Sequence, residues 1–146
     1  MTQSPNPRFI FHIASMRDWI DAKQAGDYRV STLGRKLADQ GFIHASTSDQ
    51  VESVANAIYR GARGLVLLVI DPRKVKPDIR YEPATPETAE ARRVTSEVKS
   101  EHPAQAGQLF PHIYGPLNVD AVVEALGFES EFNGRFYFPA EIVDRL

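Results

Sequence analysis

The pattern of apolar and polar positions divides the chain into short strands, two clear helices and one long polar interruption. Phe9-Ile10-Phe11-His12-Ile13 alternates as a strand does. Phe9, Phe11 and Ile13 share one face, Ile10 and His12 the other. Ser15 stands where a helix N-cap belongs, ahead of a stripe made by Met16, Trp19, Ile20 and Lys23, and Gly26 ends that helix. Tyr28 to Val30 predicts a short strand, and Ser31 to Gln40 a loop or single turn. Gly41-Phe42-Ile43-His44-Ala45-Ser46-Thr47 predicts the next strand, with Phe42, His44 and Ser46 on one face. Thr47 and Gln50 have capping-box spacing, and Val51, Val54, Ala55, Ile58 and Tyr59 form one helical face before Gly61 and Gly64.

Leu65 to Ile70 is apolar throughout, which predicts a central strand buried on both faces and ended by Asp71-Pro72. Ile79 to Glu82 is a further short strand, with Arg80 and Glu82 on one side. Pro83 to Gln108 holds few large apolar residues. Thr85 and Pro86 predict a helix there to about Lys99, with Ala91, Val94 and Val98 as its thin apolar stripe. The region reads as a peripheral insertion or flap of a single domain spanning 1–146, and His102 within it as an exposed histidine. Leu109 to Leu117 returns to strand character and aligns Phe110, His112 and Tyr114; Pro111 and Pro116 predict a sheet edge or strand end. Asn118 is placed to cap a short helix through Val119, Val122, Val123 and Leu126, stopped by Gly127. Asn133-Gly134, between Phe128 and Phe132 on one side and Phe136-Tyr137-Phe138 on the other, predicts a hairpin. Pro139 to Leu146 predicts a last helical turn.

Composition narrows the function classes. The 146 residues suit one domain, and 17 basic against 19 acidic side chains give a net charge of −2. Without a basic tract there is no electrostatic case for duplex nucleic acid. The absence of cysteine excludes disulfides, thiolate catalysis and sulfur-ligated zinc, and fits a reducing cytoplasm. Met1 to Arg8 lacks the apolar core of a signal peptide, and no apolar run approaches the roughly 20 residues that span a bilayer.

Polar side chains on apolar strands are costly unless bonded or functional. His12, His44 and His112 occupy three such strands and Arg80 with Glu82 a fourth, which predicts a shared polar cleft; the plain alternative is three core histidines. Histidine titrates near neutrality. A carboxylate beside an arginine stays ionised. Tyr114 offers a stacking face and a hydroxyl. Ser46, Thr47 and the first amides of the following helix suit an anion, although Thr47 fits the helix start better. Together these parts suit a ligand with a base, a ribose and phosphates. The histidines lie 32 and 68 residues apart in sequence, spacings that match no compact metal motif. No G-x-S-x-G elbow and no phosphate-binding G-x-x-x-x-G-K occurs.

Phe11-His12-Ile13, Gly41 to Thr47, Arg80-Tyr81-Glu82 and Phe110 to Leu117, taken in order, resemble the marks of a bacterial family, domain of unknown function 952. The resemblance runs from about Phe9 to Phe138 outside the Pro83–Gln108 region. It implies a fold similar to that of ADP-ribosyltransferases: α+β, a split and mostly antiparallel pair of small sheets around a cleft, helices outside. It also implies an NAD-like pocket. There a first-strand histidine or arginine, matched by His12, holds a ribose or the nicotinamide. A later glutamate aids an oxocarbenium-like transition state, and Glu82 is the glutamate inside a matching motif. The expectation is therefore a transferase-type protein acting at a ribose or ribose phosphate, with an NAD-like nucleotide as possible cofactor. His12, His44, Glu82 and His112 are its candidate catalytic residues. Ser46, Thr47, Arg80 and Tyr114 are its candidate ligand contacts, and no metal is assigned. Two alternatives stand beside it: a non-catalytic module for a small ligand or peptide, and a tri-histidine metal-dependent hydrolase.

Overall fold

Among the described residues, fourteen strands and α-helices follow one another. They are β1 (Ile10–Ser15), α1 (Met16–Ala25), β2 (Asp27–Tyr28), β3 (Val30–Thr32), β4 (Arg35–Lys36), α2 (Leu37–Gln40), β5 (Ile43–His44), α3 (Val51–Ile58), β6 (Leu65–Ile70), β7 (Asp78–Pro83), β8 (Leu109–Tyr114), β9 (Leu117–Asn118), β10 (Val122–Phe128) and α4 (Ala140–Val143). This computed structural model describes residues 7–32, 34–84 and 108–146; the helix expected from Thr85 and His102 lie outside them. The class is α+β. Two three-stranded antiparallel sheets, ordered β1-β6-β10 and β5-β8-β7, are accompanied by the ribbons β2-β9 and β3-β4.

The continuous apolar run of β6 is central because it is covered twice. Val66, Leu68 and Ile70 join Ile10, Ala14, Trp19 and Ala22 on the α1 side. Leu65, Leu67 and Val69 join Phe11, Val51, Ala55 and Phe136 on the α3 side. With no solvent face, nothing selects for alternation. On α1, the Ser15 hydroxyl accepts from the Asp18 amide (3.0 Å) and Gly26 closes the helix in the left-handed region at φ 96°. The half of the capping box present at α3 is the reverse one: the Gln50 side chain accepts from the Thr47 amide at 2.9 Å, while the Thr47 hydroxyl turns to Asp49.

Four sequence-based expectations change. Ser31 to Gln40, expected as a loop or single turn, does carry the one-turn α2, but also most of β3 and all of β4, with Ser31 fully buried. Pro111 lies not on an edge but in the central strand β8. Its carbonyl accepts from Ala45 at 3.0 Å, just past the last residue of the two-residue β5. Proline cannot return the reciprocal bond of this pair, and the β5 ladder ends there, at His44. The helix expected after Asn118 is a 3-10 turn, Val119–Ala121, followed by β10, since β6 needs a partner on its second edge and β-branched valines fit one. The Asn133-Gly134 turn forms, but Phe136 to Phe138 is not a strand. The Phe136 backbone is instead held by the Asn56 side chain of α3, at 2.8 and 3.0 Å.

Candidate functional site

Among the described residues, one isolated bridge joins the two larger sheets. Phe11 and Ser46 exchange backbone hydrogen bonds, both 2.8 Å, where β1 passes the end of β5. His12 reinforces this junction from below. Its Nδ1–H donates to the His44 carbonyl at 2.5 Å, and its Nε2 accepts from the Tyr28 hydroxyl at 2.9 Å. A carbonyl can only accept, which fixes the neutral tautomer. Burial is the main force on this ring and pushes its pKa down to about 4, well below the ordinary 6.5. A folded-state pKa below the unfolded value means that the unfolded chain binds the proton more readily. The corresponding stability, about 3 kcal/mol, is fully present above pH 6.5 and is lost as pH falls towards 4. Urea midpoints measured from pH 7.5 to 4.5 should fall more steeply for the parent protein than for His12→Gln; parallel curves would contradict the assignment.

The register of the second sheet sets His44 opposite His112 and His112 opposite Arg80, so the three lie in one row across β5, β8 and β7. Glu82, Phe110 and Tyr114 share that face by alternation. Each imidazole is oriented through Nδ1. The Ser31 hydroxyl donates to the Phe42 carbonyl at 2.5 Å and so accepts from His44 Nδ1–H at 2.9 Å. His112 Nδ1–H donates to Glu82 Oε1 at 2.8 Å, and the Tyr114 hydroxyl donates to the same oxygen at 2.5 Å. In the neutral form of either ring Nε2 is then the lone-pair nitrogen.

These contacts set the charges. The Tyr114 hydroxyl, and next the His112 ring, hold the Glu82 carboxyl below the usual carboxylate range, so Glu82 is ionised. Its hydrogen bond to Glu82 raises Tyr114. Burial lowers His112 and outweighs the opposing pull of Glu82, leaving the ring neutral at pH 7. Phe42 lies flat against His112, with ring centres 4.2 Å apart and planes at 19°, and also meets His44 at 4.8 Å and Tyr114 at 5.2 Å. The Arg80 guanidinium covers the other end of the stack, 4.3 Å from the Tyr114 ring centre.

A cleft of about 430 Å³, open mouth included, occupies the Phe110 end of this face. Phe11 and Ile13 of β1, Val54 and Ile58 of α3, and Phe110 form its apolar walls, while His44, His112 and Ser46 bring polar groups to it. A mostly apolar hollow with a few fixed polar groups is the usual form of a small-molecule site.

The fold thus brings together His44, Arg80, Glu82, His112 and Tyr114. Ser46 lines the cleft, buried and bonded through its backbone. His12 reaches the group through the His44 carbonyl, with both ring nitrogens engaged. Thr47 sits at the turn into α3 beside Asp49. Among the described residues no three His, Asp or Glu side chains are placed to hold a metal ion, so the three histidines do not assemble as a ligand set. Sequence reasoning missed Phe42, Ser31 and Tyr28 as parts of the site. The strand alternation that aligned Phe42 with His44 carried the signal for Phe42. No local pattern marked Ser31 or Tyr28, whose roles depend on pairing across the chain.

The motifs at these strands are those of a known family. The family model described as protein of unknown function DUF952 matches residues 13–125. The chain belongs to the DUF952 family. The matched span contains His44, Arg80, Glu82, His112 and Tyr114, and begins one residue after His12. The crystal structure of protein CC0527 from Caulobacter crescentus, a structural-genomics target, is similar at a TM-score of 0.67 and 25 % identity, covering 94 % of this chain and 96 % of that one. A double mutant of CC0527 gives the same values. The solution NMR structure of CC0527 superposes at a TM-score of 0.56 with 28 % identity, over 95 % and 97 % of the two chains. No curated protein matches the chain. No helix among the described residues is long and apolar enough to cross a membrane.

Proposed function

We propose that this DUF952 protein binds a nucleotide- or NAD-like ligand in the cleft and acts at its ribose, as a glycosyl or ADP-ribosyl transferase does. The observation that carries this reading is the Glu82 carboxylate. Two donors hold one of its oxygens, Oε1, and keep it ionised. Its second oxygen accepts no hydrogen bond among the described residues. A fixed anion of this kind lowers the energy of a ribose C1′ as it becomes cationic, without reorganising during the step. The apolar cleft receives the planar base. His44 and Ser46 orient the ribose or a phosphate, and Arg80 holds Tyr114 in place by lying on its ring. In this reading His12 is a positioning residue, which fixes the His44 backbone, and Thr47 builds the start of α3. The pair of small antiparallel sheets around a cleft also resembles the ADP-ribosyltransferase fold, which agrees with the reading but does not transfer an activity.

Calorimetric titration with NAD, ADP-ribose and nucleoside monophosphates tests it. Glu82→Gln keeps the shape and removes the charge, and should weaken binding of the favoured ligand about tenfold, the value of one charge-assisted contact. Absence of binding by all of these ligands at millimolar concentration would end the proposal.

A further inference from the structure

Resting on that reading of the cleft, we infer that His112 is a general base, acting through Nε2 on the hydroxyl that attacks the ribose, with Glu82 and Tyr114 as its positioning residues. Three independent contacts fix the ring. Glu82 Oε1 takes Nδ1–H at 2.8 Å, Phe42 covers one face at 4.2 Å and 19°, and the His44 ring meets it nearly edge-on, with centres 5.5 Å apart and planes at 72°. The ring is buried yet forms part of the cleft wall. With Nδ1 committed to a carboxylate, the basic nitrogen is Nε2. A carboxylate–imidazole pair of this kind holds the tautomer and stabilises the imidazolium formed when the ring takes a proton. The Tyr114 hydroxyl secures the same carboxylate oxygen in turn, at 2.5 Å. Among the described residues, the charged groups facing this ring from the neighbouring strand are Glu82 and Arg80.

The step balances for a pyridinium N-riboside such as NAD in water. The O–H bond of water breaks and its proton goes to His112 Nε2, while the oxygen forms the new bond to C1′. The C1′–N bond breaks, and its electron pair leaves with nicotinamide, which departs neutral. The imidazolium then returns the proton to solvent. No oxidant, reductant or metal is needed.

The experiment uses the full chain with NAD as substrate, nicotinamide release as readout, and ADP-ribose titration as a separate measure of the cleft. Four results are expected together. His112→Ala loses about 100-fold or more in turnover. Its affinity for ADP-ribose falls at least tenfold less than its turnover does. Added imidazole restores part of the rate. The acid limb of the parent rate profile moves to lower pH in Glu82→Gln, because removing the anion makes the ring less basic. If His112→Ala does not fold by near-UV circular dichroism, the same measurements are made on His112→Gln. Turnover within about threefold of the parent in either variant overturns the assignment. ADP-ribose binding without any nicotinamide release overturns it as well, while leaving the cleft as a binding site. Failure of both NAD and ADP-ribose to bind removes the reading beneath it, and the assignment with it.

Discussion

Phe11→Ala should lower the unfolding free energy by about 3–5 kcal/mol, the usual cost of truncating a fully buried phenylalanine. Phe11 has no exposed surface and meets Phe138 edge-to-face, with ring centres 5.4 Å apart and planes at 81°. It packs among Val51, Ala55 and Leu67, so the vacated volume is walled by a helix and a central strand that cannot easily close on it. It also lines the cleft, and its backbone makes the bridge to Ser46. The loss should therefore appear in two measurements. The guanidinium midpoint should fall at unchanged m, and the heat of ADP-ribose binding should change because the apolar wall recedes. Domains of this size are stabilised by about 5–15 kcal/mol, so the variant would approach the limit of folding. A loss under about 1 kcal/mol would show that α3 and the C-terminal segment repack freely, contrary to a close-packed core.

Asn56→Leu should cost about 2–6 kcal/mol, from two backbone groups that each lose about 1–3 kcal/mol when left buried without a partner. The Asn56 side chain does for Phe136 what a neighbouring strand would do. Its Oδ1 accepts from the Phe136 amide at 2.8 Å and its Nδ2 donates to the Phe136 carbonyl at 3.0 Å. Glu52, one turn earlier on α3, accepts from the Phe138 amide at 3.0 Å. Leucine is near in size and more apolar, so a classical hydrophobic gain would oppose the loss; the sign of the change decides which dominates. Hydrogen exchange gives the sharper readout. The Phe136 amide should lose protection in Asn56→Leu while amides of β6 keep theirs relative to global stability. Unchanged protection at Phe136 would mean that the helix side chain is not what holds this segment.

The two predictions differ in how far sequence periodicity expresses them. Phe11 was legible as a core residue because alternation placed it on the face of Phe9 and Ile13, and β1 followed. Asn56 gave no signal, since its importance depends on Phe136, 80 residues further on. The same division runs through the fold. The strand before α1, the apolar run of β6 and the α3 stripe were each readable from spacing. The segment after Asn118 was misread because valines and a leucine at three- and four-residue spacing satisfy a helical pattern as well as a strand. Only the open edge of β6 selects the strand. Pro111 was misread for a related reason: a proline forbids one hydrogen bond, and whether that bond is needed depends on where the partner strand ends.

At the candidate site, the sequence by itself determined which residues lie on polar-bearing strand faces: His12 on β1, His44 on β5, Arg80 and Glu82 on β7, His112 and Tyr114 on β8. A strand's two-residue period is a local property, so it can be read without knowing the partner. Tertiary structure alone decided which of these faces meet. It set His44, His112 and Arg80 in one row, joined Tyr114 to Glu82 and Glu82 to His112, and turned His12 inward to Tyr28 and the His44 carbonyl. Register between strands distant in sequence is fixed by the packing of whole sheets. No local stretch of the chain contains that information, and the hydrogen-bond partners of the three histidines depend on it.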